Sequence, residues 1–247
     1  VGFKLFLLFY NLVDLSLYKK DELMGKFIHI ISYILKFLGE FMSRYRGPKN
    51  RIARRFGVNI FGRARNPLLH KPNPPGMHGV RRRKKSDYGL QLEEKQKLKA
   101  VYGMLSERQL VNYYKKALQL KGNTVNNFAE MLECRLDVVV YRLKFASTIF
   151  GAHQLVSHGH ILVDGKKVDR RSFHVKPGMV IGIKEKSRKS KAINESLENS
   201  MHEVPAYCSL DKENYSGQLM ALPTIEQLPW PIEINLPEVC DFLAHVN

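Results

Sequence analysis

Apolar positions recur with a helical period near the middle of the chain. Leu136, Val139, Val140 and Leu143 fall at i, i+3, i+4 and i+7, one stripe of an amphipathic helix. Ser147 is placed to cap a second helix whose Ala152, Leu155 and Val156 face inward, and Gly159 suits its end. The pattern then shortens. Ile161, Leu162 and Val163 lead into Asp164-Gly165, a hairpin signal because both residues tolerate positive φ, and Val168 starts the return strand. Pro177-Gly178 marks a turn before an apolar strand over residues 179–183. Upstream, residues 90–102 read as a charged amphipathic helix broken by Gly103. Ser106 and Gln109 form a capping box for a helix over 107–120 closed by Gly122, and Thr124 is positioned to cap a third helix carrying Phe128, Met131 and Leu132. The expected class is α+β, a mostly helical first part followed by two helices and a small antiparallel sheet.

Charge sharpens this picture. The chain carries a formal net charge of +17, but unevenly. Residues 42–191 hold 34 Lys and Arg against 10 Asp and Glu, whereas residues 192–247 hold 1 base and 9 acids. Residues 44–85 contain 14 bases and no acid. So self-repelling a stretch folds tightly only when a polyanion neutralises it. Its candidate RNA contacts are Arg44, Lys49, Arg51, Arg54, Arg55, Arg81, Arg82, Arg83, Lys84 and Lys85. A basic run alone would read as a solvated tail or localisation signal; here proline turns and aromatics interrupt it. Phe56 and Phe61 suit a small core under a loop, while Tyr88, amid polar neighbours, is the expected base-stacking residue, ahead of Tyr45 and Tyr102. Lys95, Lys97 and Lys99 are the candidate RNA face of the helical part. In the later unit Arg135, Arg142, His153, Gln154, His158, His160, Lys166 and Lys167 fall outside the packed stripes, as do Lys144, Ser157, Arg170 and Arg171. They offer cations and hydrogen-bond donors to phosphates.

Catalytic chemistry is not indicated. No glycine-rich nucleotide loop or Ser, His and Asp arrangement stands out, and Asp137 is expected to pair with a neighbouring arginine or cap a helix. An RNA-modifying enzyme would need a separate catalytic domain of roughly 150 residues. Cys134, Cys208 and Cys240 are far apart without C-x-x-C spacing, so neither metal nor cofactor is expected, and three unpaired cysteines suit a reducing compartment. The first 41 residues are rich in Leu, Phe and Ile, yet residues 27–35 give only 9 without formal charge, short of the ~18 that span a bilayer. The expectation is an upstream extension ahead of a true start at Met42, preferred over an amphipathic membrane anchor.

Two sets of motifs carry a family resemblance. The series R-L-D at 135–137, V-x-R at 140–142, A-x-T at 146–148, A-x-Q-L-V-x-H-G-H at 152–160 and V-x-G-x-x-V at 163–168 resembles the S4 RNA-binding domain. R-Y-x-G-P at 44–48, P-P-G-x-H-G at 74–79 and S-D-Y-G-L-Q-L-x-E-K-Q at 86–96 resemble the amino terminus of the bacterial-type ribosomal protein S4 family. The tail agrees more loosely over 205–217, where Tyr207 replaces a tryptophan, and over 234–242, where Leu236 and Pro237 depart from the pattern. The resemblance spans residues 42–247. It implies an S4 domain at 134–189 inserted between 42–133 and 190–247, the tail folding back onto the helical domain. It also implies a non-enzymatic constituent of the small ribosomal subunit in the cytoplasm. Such a protein binds small-subunit rRNA early, nucleates assembly of the subunit body, and adjoins other small-subunit proteins and the mRNA where it enters, influencing accuracy; no membrane partner follows. Where the family commonly has arginines, this chain has Ile149 and His153, and Asp164 stands where asparagine is common. The expectation is a weaker grip there, tightened by restoring arginine at His153.

Overall fold

The computed structural model describes residues 45–63, 65–77, 79, 84–199 and 202–246. The expected leader, Arg44, and Arg81, Arg82 and Arg83 lie outside the described residues. The chain divides into two units, Val1–Arg46 and Gly47–Asn247, and every element below belongs to the second. Helices α1 (Lys49–Phe56), α2 (Pro67–His70), α3 (Asp87–Val101), α4 (Glu107–Gln119) and α5 (Thr124–Glu133) come first. Then follow α6 (Leu136–Arg142), α7 (Ile149–Ser157), strands β1 (Ile161–Val163), β2 (Lys166–Lys167) and β3 (Val180–Ile183), and helices α8 (Glu185–Arg188) and α9 (Lys191–Asn199). Strands β4 (Cys208–Asp211) and β5 (Ser216–Leu219), a 3-10 turn (Ile225–Gln227) and α10 (Leu236–Val246) complete the order. The fold is α+β.

Local chemistry explains the boundaries. Ser106 Oγ accepts from Gln109 N–H while the Gln109 side chain accepts from Ser106 N–H, the expected capping box. Two caps differ from expectation by one residue: Asn123 rather than Thr124 starts α5, and Thr148 rather than Ser147 starts α7. In each case it is the residue with extended backbone whose side-chain oxygen reaches the exposed N–H groups of the first turn. The helix read from residue 90 begins at Asp87, because Ser86 Oγ accepts from Gly89 N–H. Asp164 and Gly165 take φ of 48° and 77°, and Asp164 Oδ1 accepts from Val180 N–H at 2.9 Å, tying the hairpin turn to β3. The return strand is Lys166–Lys167, with Val168 just after it.

Two apolar clusters form the interior. The first gathers Phe61, Leu98, Leu110, Phe128 and Leu132 with Leu236, Val239 and Leu243 of α10. The second gathers Leu136, Val140, Leu143, Ala152 and Val156 over Ile161, Ile181 and Ile183. Each fully buried Leu, Ile or Phe contributes about 1.5–3 kcal/mol relative to exposure. Helices α6 and α7 belong to both: Val138 and Ile149 face the first cluster, while Val139 and Ala152 face the second.

The sheet departs from the expected domain plan. Its order is β2-β1-β3-β5-β4, antiparallel throughout, so two strands from the tail complete it. Ile193, Leu197, Tyr207, Cys208 and Leu219 join the second cluster. The 3-10 turn and α10 pack on the helical body, through α5, α3 and α4. The expected return of all of 190–247 to the helical part is therefore corrected. The cause is visible at Gly217, where an added Cβ would lie 2.6 Å from Leu143 Cδ2 and 2.8 Å from Ser209 O. A side chain there would break the contact that lets β5 lie beneath the end of α6.

Candidate nucleic-acid interface

Helix α1 buries Ala53 and leans Ile52 and Phe56 on the first cluster, leaving Lys49, Asn50, Arg51, Arg54 and Arg55 on its other faces. Gly57, at φ 69°, ends it. Ile60 and Phe61 anchor the loop that follows, and the Asn59 side chain brackets Arg63, donating to its carbonyl at 2.8 Å and accepting from its N–H at 3.3 Å. Arg63 Nη1 in turn donates to Asn50 Oδ1 at 2.9 Å. Asn66 caps α2 with Pro67 in its first turn. Arg54 Nε donates to the carbonyls of Lys71 and Asn73, both at 3.0 Å, holding the proline-rich turn against α1. Arg65 Nε and Nη2 approach His70 Nε2 at 3.1 and 3.0 Å. Arginine only donates, so the acceptor in these contacts is the ring nitrogen.

These contacts build a notch of about 740 Å³ lined by Asn50, Arg54, Arg63, Arg65, His70 and Lys71, with Thr148 at its wall. A second recess of about 360 Å³ shares Arg54, His70 and Lys71 and runs along the turn from Pro72 to Met77. Among the described residues no carboxylate lines either one, and the sequence has none between residues 44 and 85. Cations forced together without a counterion raise the local potential, and a phosphate lowers it. Leu69 and Met77, 82% and 95% exposed, flank the recess.

The expected contacts separate into two groups. Arg51, Arg55, Lys84, Gln154, His158, Lys166 and Lys167 are exposed, and Arg54 and Lys49 are partly so. Lys49 Nζ lies 3.7 Å from the Phe150 ring centre. Lys85 pairs with Glu93, and Tyr88 is 60% exposed with its ring 5.3 Å from that of Phe242. Gly159 packs beneath Lys167, which brings the end of α7 and the hairpin onto one patch with His158. His160 Nδ1 meets Ser187 Oγ at 2.8 Å.

Four expected contacts are interior residues and are corrected. Lys95 is 7% exposed, bonded to Glu107 Oε1 at 2.6 Å and lying 4.3 Å from the Phe242 ring centre. Arg135 grips Asp137 through two nitrogens, at 3.0 and 2.6 Å, and donates to Tyr113 Oη at 2.9 Å. Burial alone would raise the Asp137 carboxyl, but Arg135 and His153 outweigh it and hold it below the usual carboxylate range. The expected pairing of Asp137 with a neighbouring arginine is thus the contact seen. Arg142 Nε lies 2.5 Å from Glu133 Oε1, and that partner outweighs burial to raise the guanidinium above its ordinary range. A guanidinium already matched to a buried carboxylate cannot turn to a phosphate without leaving that carboxylate unpaired.

His153 is 6% exposed, its Nε2 lying 3.1 Å from Asp137 Oδ2 and its Nδ1 3.4 Å from Arg171 Nη1. An added Cβ on Gly103 would lie 2.4 Å from His153 Cε1, so the ring fills its slot. Ile149 is likewise buried, at 3%. The expectation that arginine at His153 tightens RNA binding is therefore withdrawn. His153→Arg should instead destabilise the fold by about 1–3 kcal/mol through overpacking, read as a lower urea midpoint, with no gain in rRNA affinity.

Sequence reading passed over Arg63, Arg65, His70 and Lys71 as individual contacts. The usable signal was the acid-free run with Asn66-Pro67 inside it, which requires the chain to turn and converge its own cations. Burial, with Glu130 and Glu133 nearby, pushes the Cys134 thiol up to about 12, and burial with Glu133 does the same for Cys208. Neither supplies a thiolate near neutrality. Among the described residues no group of three His, Cys, Asp or Glu is placed to hold a metal ion, and no helix is long and apolar enough to cross a membrane.

Comparison with known proteins agrees with this geometry. Residues 44–133 match the Ribosomal protein S4/S9 N-terminal domain, and residues 134–181 match the S4 domain. The chain is 78% identical over 204 residues to the small ribosomal subunit protein uS4 of Protochlamydia amoebophila, covering 83% of this chain and 99% of that protein. It is 62% identical over 207 residues to the uS4 of Chlamydia muridarum and 61% to that of Chlamydia trachomatis serovar L2, with the same coverage. An α+β chain with a helical amino-terminal body, an S4 domain and an identity this high over nearly the whole of its relatives belongs to the small ribosomal subunit protein uS4 family.

Proposed function

We propose that this chain is a structural, non-enzymatic constituent of the small ribosomal subunit that grips rRNA through its phosphate backbone. The observation that carries the reading is the acid-free notch around Arg54, Arg63, Arg65 and Lys71, with the α7 and hairpin patch as a second cationic surface. Phosphate contacts position the protein, and the shape held by two packed cores selects the RNA arrangement. We propose further that binding comes early and nucleates assembly of the subunit body. The protein would then lie among neighbouring small-subunit proteins near the path of entering mRNA, where it influences accuracy. Its place is the cytoplasmic ribosome, with no membrane partner. The acidic tail, whose exposed carboxylates repel RNA, supports a protein-facing side.

Affinity for small-subunit rRNA and for an unrelated structured RNA, measured across a salt series, tests this. A preference for the rRNA that persists near 0.2 M salt is expected. Purely phosphate-driven binding through about six to ten contacts would fall by roughly 10³ to 10⁵ between 50 and 200 mM. Equal affinities collapsing together with salt would refute the ribosomal reading and leave a basic clamp.

A further inference from the structure

A second cationic cleft lies away from the amino-terminal notch, between α4 and the segment that follows the hairpin. Its lining is mostly polar, with Met131 as the apolar exception. Gln109, Asn112, Tyr113 and Lys116 fall at i, i+3, i+4 and i+7 on α4, one helical stripe. Facing them, Arg170 and Ser172 sit on a turn closed by Phe173 N–H donating to Arg170 O at 3.1 Å, and His174 follows it in a single bridge to Arg135, while Arg171 turns to His153 and Val175 into the second cluster.

Backbone hydrogen bonds tie this wall to the start of α6. Leu136 N–H donates to Phe173 O at 2.8 Å, Asp137 N–H to Arg171 O at 3.3 Å, and Val175 N–H to Cys134 O at 2.8 Å. The Arg135 guanidinium fixes the opposite wall through Tyr113. Facing stripes on two packed elements are ordinarily apolar or paired in charge. Here they enclose about 270 Å³ lined by Lys116, Arg170 and His174 with amide and hydroxyl groups and Met131, and among the described residues no carboxylate lines the space. The field is felt at His174: burial lowers its imidazole pKa, and Lys176 and Lys116 lower it further against the pull of Glu130 on α5.

We propose that this cleft is a second phosphate-holding notch, taking one phosphodiester of the rRNA between Lys116, Arg170 and His174 while the Asn112 amide and Ser172 hydroxyl supply hydrogen bonds. The proposal rests on the rRNA reading above and assigns a separate point of grip to the junction of the helical body and the S4 domain.

The test uses the full chain and the double variant Lys116→Ala with Arg170→Ala. Small-subunit rRNA affinity is measured across salt in chloride, beside the unrelated RNA, and again in inorganic phosphate of equal ionic strength. Loss of one phosphate contact should make the log–log salt slope shallower by about 0.9 and weaken binding near 0.15 M by about fivefold. The charge-keeping variant, Lys116→Arg with Arg170→Lys, should retain the wild-type slope. If wild type prefers the rRNA and the alanine variant has an unchanged slope and affinity, the cleft proposal is wrong while the ribosomal reading stands. If wild type shows no preference, that reading fails first and takes the proposal with it. Inorganic phosphate weakening wild type more than the alanine variant would show a notch that holds free phosphate as well. Equal weakening, with the slope change intact, would assign it to the diester in its RNA strand.

Discussion

Replacing Glu133 with alanine should lower the unfolding free energy by about 3–5 kcal/mol, the cost of leaving a buried guanidinium without its carboxylate. Glu133 is 1% exposed at the end of α5 and receives three groups. Arg142 Nε lies 2.5 Å and the Tyr207 hydroxyl 2.8 Å from its Oε1, and the Tyr102 hydroxyl lies 2.8 Å from its Oε2. The network continues outward, since Trp230 Nε1 donates to Tyr102 Oη at 3.2 Å and Arg142 Nη1 donates to the Pro229 carbonyl at 3.2 Å. Three segments, drawn from both apolar clusters, therefore meet on one carboxylate, and a fourth, Pro229–Trp230, joins through Arg142 and Tyr102. Urea unfolding of the full chain checks this. Exchanging the pair together, Glu133→Leu with Arg142→Met, should restore only part of the loss, because no guanidinium is then left unpaired but the buried Tyr102 and Tyr207 hydroxyls still lose their acceptor. A single-variant cost under about 1 kcal/mol, the range of a solvated surface pair, would show that water reaches the site.

The second large effect is on RNA affinity. Changing Arg63, Arg65 and Lys71 to alanine should make the salt slope for small-subunit rRNA shallower by about 3 and weaken binding near 0.15 M by roughly 10², on one phosphate lost per cation. These three are the informative choice, since Arg54 also holds the proline-rich turn through two carbonyls and its removal would loosen that loop. A filter-binding series on wild type and variant decides the matter. An unchanged slope would mean that the RNA does not enter the notch.

Much of the fold was legible because period and capping chemistry are local. The stripe at Leu136, Val139, Val140 and Leu143, the Ser106–Gln109 box and the Asp164-Gly165 turn each depend on residues within about a turn of one another. The sheet order was not legible. Pairing of Ile181 with Gly217 depends on Leu143 closing over a glycine 74 positions later, and no short window contains both. Charge was legible in the sum and misleading in the particular. Arg135, Arg142 and His153 lie off the apolar stripes and so read as surface, yet each meets a buried carboxylate, Asp137 or Glu133. A partner within two residues, as for Arg135 and Asp137, could have warned of this. Arg142 and Glu133 are nine apart across a helix break, which periodicity does not register. Of the notch, the acid-free composition was plain, but the convergence of Arg63, Arg65 and Lys71 required the loop geometry set by Asn59 and Asn66.

The two strands that close the sheet from the tail also set a schedule for synthesis. Helices α3 to α5 are made early, but their cluster lacks α10 until residue 246, and the hairpin sheet lacks β5 and β4 until residue 219. At translation rates of about 5–20 residues per second, roughly 6–23 s separate the end of α5 from the end of α10. Between the completion of β3 at residue 183 and that of β5 at residue 219, the nascent chain displays both the helical groove that awaits α10 and one open strand edge. The emerging polypeptide is thus most exposed to aggregation, and to premature capture by RNA, just before the segment from β4 to α10 arrives.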